Sequence, residues 1–113
     1  MIHAITREEE ALAESYVLER GLDMRAVVAQ SPTIVETLRS VRAKIREYFG
    51  EVPARLSLRP DPEVHGTYSI VVEILATSKM SDAFERQGRF DREWWLEVWG
   101  RETADICILI GPV

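Results

Sequence analysis

One cysteine and two histidines are all that this chain holds of the side chains most used as soft metal ligands and nucleophiles. A single thiol, Cys107, closes no internal disulfide; within the apolar run around it, it reads as a small, inert core hydrophobe, and a reducing, cytoplasmic setting is the matching expectation. His3 and His65 each lack a second ligand three or four residues away, so both read as surface histidines and no metal site is expected. G-x-S-x-G, P-loop and G-x-G-x-x-G patterns are missing, which removes the common nucleophile and phosphate-cradle motifs. No apolar run approaches the roughly 20 residues of a membrane span, and the first residues do not form a signal-peptide h-region. The expectation is a cytoplasmic protein with no catalytic residues, no cofactor and no membrane contact.

What is present is an ordinary globular composition, 46% hydrophobic and 29% charged over 113 residues. That is enough for one modest core, so residues 1–113 are read as a single domain, with a helical segment over 1–30 and the core over 31–113. The formal charge of −5 argues against broad affinity for nucleic acid. Its distribution is uneven: residues 1–23 carry two basic and six acidic side chains, and residues 24–50 five basic and two acidic. The two segments can therefore pair electrostatically, although exposed ion pairs contribute only about 0–1 kcal/mol each.

Thr6-Arg7-Glu8-Glu9 has the form of a capping box, predicting a helix to Arg20 with Gly21 as its stop. Its apolar side is thin: Leu12, Ala13, Tyr16 and Val17. Residues 23–30 fit a short helix capped by Asp23 or a short strand, with Ala26 and Ala29 favouring helix. Ser31-Pro32 predicts the next helix start and Gly50 its end. Between them Ile34, Leu38, Val41 and Ile45 form one apolar stripe, continued by Tyr48 or Phe49. Arg39, Arg42 and Arg46 flank it, as a solvated face partly neutralised by Glu36 and Glu47 or else as a binding stripe.

From Ala54 the period falls to two. Leu56 and Leu58 alternate with Arg55, Ser57 and Arg59, which predicts a strand. A Pro-containing hairpin loop leads to a second strand, Tyr68 to Thr77, and a third runs from Asp105 to Ile110. The fold class is α+β: a two-layer sandwich in which N-terminal helices precede β-β-α-β, with a small, mostly antiparallel sheet. If 24–29 were a strand, the order would be the ferredoxin-like βαββαβ.

Between the last two strands all three tryptophans fall within Trp94 to Trp99. Gly88 predicts a break, after which Asp91 caps a new helix with Phe90 and Trp95 as a hydrophobic staple and Glu93 in the first turn. Residues two apart on a helix do not face each other, so Asp91 and Glu93 are read as structural rather than as an acid/base pair. The tryptophans read first as core; a pocket involving Asp91, Glu93, Trp94 and Trp95 is the alternative.

The segment Phe90-Asp91-Arg92-Glu93-Trp94-Trp95 resembles a group of small uncharacterised prokaryotic proteins in which a Phe-Asp-x-Glu-Trp-Trp segment follows a strand ending in Thr-Ser, as at Thr77-Ser78, and precedes a terminal strand. The resemblance covers roughly the last half of the chain and implies the fold, with no activity to transfer. Two function classes remain. One is a non-enzymatic interaction or regulatory module, an antitoxin-like or accessory protein with a protein partner; the other is a small-molecule-binding or enzymatic domain with a Trp-lined pocket.

A homodimer is also expected. The sheet face turned from the helices carries Val71, Leu75, Cys107 and Leu109, more apolar than a solvated face. Either the N-terminal helix, through Leu12, Tyr16 and Val17, or a second subunit must cover it.

Overall fold

The computed structural model describes residues 6–64, 66–76, 80–102 and 104–111, without the side chains of residues 80 and 81. His3, His65 and the Thr77-Ser78 pair lie outside the described residues. The chain runs α1 (Arg7–Ser15), β1 (Val17–Leu18), α2 (Met24–Val28), α3 (Ile34–Phe49), β2 (Ala54–Pro60), β3 (Tyr68–Leu75), α4 (Met80–Phe90), a π-helical turn (Asp91–Trp95), α5 (Leu96–Trp99) and β4 (Ile106–Gly111). Helices pack on a four-stranded mixed sheet, which places the protein in the α+β class.

The first helix begins as expected, with the Thr6 hydroxyl accepting from the Glu9 amide. It ends five residues short of Arg20. Tyr16 is extended, and Val17 and Leu18 pair in parallel with Arg55 and Leu56. Sheet pairing overrides helix propensity for these bulky residues. Asp23 caps α2 through Oδ1, which accepts from the amides of Arg25 and Ala26, so 24–28 is helix.

The third helix starts at Ile34 rather than behind Ser31 because the Ser31 hydroxyl donates to Glu102 instead of accepting from a helix amide. Gly50, at φ 84°, ends it. The predicted stripe is buried from Ile34 to Phe49. Arg42, expected on a solvated flank, is buried with it.

The sheet is less antiparallel than expected. Among the described residues only β2 and β3 form an antiparallel pair; β1–β2 and β3–β4 are parallel, each joined through helices. The strands follow chain order, β1-β2-β3-β4. A β-α-β-β-α-β order therefore arises from Val17–Leu18 and not from 24–29, and no strand is inserted within either βαβ unit as it is in the ferredoxin-like split arrangement.

The core lies between sheet and helices. Leu56, Ile70, Val72, Ile74 and Ile106 project from the sheet onto Leu38, Val41, Ile45 and Phe90, while Leu12, Tyr16 and Val27 of the N-terminal segment belong to the same cluster. The N-terminal helix thus lies on the helical side, against α3. Burial pushes the Tyr16 phenol far above its usual pKa, and its hydroxyl donates to the Leu38 carbonyl. With α1 placed there, it is not the cover of the opposite sheet face. On that face Arg55 and Glu73 pair across the strands at 3.0 Å, Leu75 is buried, and Val71 and Leu109 are half-buried. Cys107 is exposed rather than a core thiol, because β4 turns its odd-numbered residues outward.

Candidate functional site

The helix that carries the tryptophans does not break at Gly88. It runs from Met80 through Phe90 into the π turn and on into α5, with helical backbone at both junctions. Asp91 is accordingly not an N-cap and Phe90 is no staple residue. The Leu96 amide donates to the Asp91 carbonyl, five residues back, which is the defining bond of a π turn.

That extra residue per turn has a packing cause. In an α-helix a residue meets its neighbours three and four ahead, so Phe90 would face Trp94 and turn away from Trp95. With the π turn Phe90 meets both, with ring centroids 5.5 Å and 6.5 Å away, and the two indoles lie 5.9 Å apart. Tyr48 and Phe49 complete the cluster from α3, at 5.8 Å and 6.3 Å from Phe90.

The three tryptophans end in three environments. Trp95 is buried, Trp94 is half-buried, and Trp99 is 48% exposed beside Leu96 at 59%. Leu96 and Trp99 are three apart and share one side of the helix. The expectation that all three indoles enter the core holds for Trp95 only, since α5 reaches past the edge of the hydrophobic layer.

Trp94 and Val98 form one wall of a groove of about 470 Å³, with the outer side of α3 opposite, from Thr33 to Glu47. Lys44 lies over the Trp94 ring, 6.0 Å from its centroid, and pairs with Glu47 at 2.9 Å. At the far end Glu102 is a hub. Its carboxylate accepts from the hydroxyls of Ser31 (2.6 Å), Thr33 (2.9 Å) and Thr37 (2.6 Å), and from the Ala104 amide (3.1 Å). Burial acts to raise its pKa, but the hydrogen bonds from Ser31, Thr37, Ala104 and Thr33 win and bring it to about 2. Lying at the N-terminus of α3, this carboxylate also faces the positive end of the helix dipole.

Of the four motif residues singled out in the sequence, only Trp94 reaches the groove. Glu93 turns to Tyr48, accepting from its hydroxyl at 2.8 Å and from Arg89 at 3.3 Å. Those two bonds hold its pKa below the usual carboxylate value, with the Tyr48 bond foremost, and the same bond raises Tyr48. Asp91 is half-buried on the helix, and burial raises its pKa despite neighbouring Arg92. A carboxyl whose folded pKa is raised works against folding once pH exceeds its unfolded value. Asp91→Ala is therefore expected to leave stability at neutral pH unchanged or slightly higher, whereas loss of a cap would cost about 0.5–2 kcal/mol. Urea denaturation of the variant distinguishes the two.

Glu102, Thr37, Lys44 and Arg101 were not singled out in the sequence, because nothing in local spacing joins residue 102 to residues 31–37. Among the described residues no three His, Cys, Asp or Glu side chains converge as a metal site, and no helix is long and apolar enough to cross a membrane. The chain is defined at the level of fold class as an α+β protein. No family model, curated protein or solved structure matches it.

Proposed function

We propose that this is a cytoplasmic, non-enzymatic protein-interaction module whose contact surface is formed by α5 and the groove beside it. The observation that carries the reading is the exposure of Trp99 and Leu96 next to the half-buried Trp94 and Val98. Exposed tryptophan beside a partly dry groove and rimmed by charge is the composition of interface hot spots, in which an aromatic anchor is desolvated by the partner. The rim is supplied by Lys44, Glu47 and the Arg101–Glu97 pair at 3.1 Å. A partner presenting an apolar side chain would seat it against Trp94 and Val98 and cover Leu96 and Trp99.

Copurification from the native host tests this. The wild type should retain a stoichiometric partner that Leu96→Glu loses while remaining folded, since Leu96 contributes little to the core. Retention by both proteins, or by neither, removes the proposal. A homodimer across Val71, Leu75, Cys107 and Leu109 remains part of the same reading, because α1 does not cover that face; light scattering that finds only monomer at micromolar concentration removes it.

The groove volume also favours a second reading, a small-molecule site, because about 300–1,000 Å³ is the usual size of such pockets. A saturable rise in melting temperature with a metabolite, by mass action on the folded state, would favour it over a protein partner.

A further inference from the structure

A second groove, of about 670 Å³, runs along the other side of α3, and its wall holds Arg42, a buried cation with no carboxylate hydrogen-bonded to it among the described residues. Glu36, Ser40 and Ala43 form the ridge between the two grooves. Arg42 is 7% exposed. Its Nε donates to the Ser15 carbonyl at 2.7 Å and its Nη2 to the Val52 carbonyl at 2.8 Å. Nη1 is buried and makes no hydrogen bond among the described residues.

A buried guanidinium is ordinarily matched by a carboxylate, because desolvating the charge is costly. Here two neutral carbonyls hold it instead. They fix its orientation, and no carboxylate hydrogen-bonds to it among the described residues, Glu51 acting on the charge only at longer range. Burial foremost, and then Arg46, pull its pKa below the usual arginine value.

The neighbours add to this charge. Arg39 and Arg46 lie three residues before and four after Arg42, so all three line the same groove. Arg46 has only a loose carboxylate contact, 3.8 Å to the exposed Glu51, and no salt bridge to Arg39 is formed among the described residues. Glu8 and Glu36 also line the groove, which limits it to a compact anion rather than a polyanion.

We infer that the groove between α1 and α3 is a binding site for a phosphate-type oxyanion, gripped by Arg39 and Arg46 over the fixed guanidinium of Arg42. Planar guanidinium forks suit oxyanions, and Arg39 and Arg46 supply them at the groove, while Arg42, with Nη1 buried and Nε and Nη2 held by Ser15 and Val52, adds a fixed positive charge beneath. This site is separate from the α5 surface and stands or falls independently of the partner proposal.

The test is a titration of the intact protein with inorganic phosphate at constant ionic strength, following the arginine Nε–Hε signals by NMR, with sodium chloride as control. Saturable shifts at Arg39, Arg42 and Arg46 with phosphate alone are expected. Arg39→Gln and Arg46→Gln, both at exposed positions, should each weaken binding about tenfold or more, the loss typical of one charge-assisted contact. Phosphoserine titrated in parallel reports the source: tighter binding than inorganic phosphate marks a phosphomonoester ligand, and equal binding marks the free ion. Shifts that do not saturate, that chloride reproduces, or that survive both substitutions would overturn the assignment.

Discussion

Phe90→Ala is expected to lower the free energy of unfolding by about 3–5 kcal/mol, the usual range for truncating a buried aromatic side chain. Phe90 has no exposed surface and is the ring that Tyr48, Phe49, Trp94 and Trp95 all meet. Removing it opens a cavity and also takes away the reason for the π turn, whose widened spacing brings both Trp94 and Trp95 onto that one side chain. A domain of this size has about 5–15 kcal/mol in all, so the variant should be near its folding limit at 37 °C. Denaturant unfolding at 25 °C gives the value. A loss below about 1 kcal/mol would mean that the aromatic cluster is not the centre of the core.

Glu102→Ala is expected to cost about 1–3 kcal/mol, because it leaves three hydroxyls and the Ala104 amide without their acceptor. The penalty falls on the joint between the start of α3 and the loop before β4, far apart in the chain and close in the fold. The same carboxylate sets a pH dependence. Its folded pKa of about 2 is below the ordinary 4.5, so its contribution is complete above about 4.5 and is lost as pH falls toward 2. The wild type should lose stability across that interval, and Glu102→Gln should lose less of it. Parallel acid-unfolding profiles of the two proteins would contradict the role given to Glu102.

Much of this architecture is legible in residue order. Ile34, Leu38, Val41 and Ile45 repeat at helical spacing, and the alternation of Leu56 with Arg55 and Ser57, and of Ile70, Val72 and Ile74 with Ser69, Val71 and Glu73, marks the strands and their inward face. Local signals failed where long-range partners compete. Ser31 looks like a helix cap until Glu102 takes its hydroxyl, and Val17–Leu18 look like the end of a helix until Arg55–Leu56 offer a strand. Asp91 has the form of a cap, yet the rings of Phe90, Trp94 and Trp95 gain more from a continuous helix with one wide turn. The candidate contact surface was only partly legible. A tryptophan cluster can be read from the chain, but the depth at which each indole settles depends on the position of α3. Arg42 reads as one member of a solvated stripe because its burial depends on the Ser15 and Val52 carbonyls.

The indole N–H resonances of the three tryptophans give the most direct test of the proposed contact surface. With the copurified partner added to the labelled protein, Trp99 and Trp94 should shift strongly and Trp95, buried behind them, only weakly. If the indoles stay in place while the amides of Val71, Cys107 and Leu109 move, the partner binds the outer face of the sheet, and the assignment of α5 and its groove is wrong.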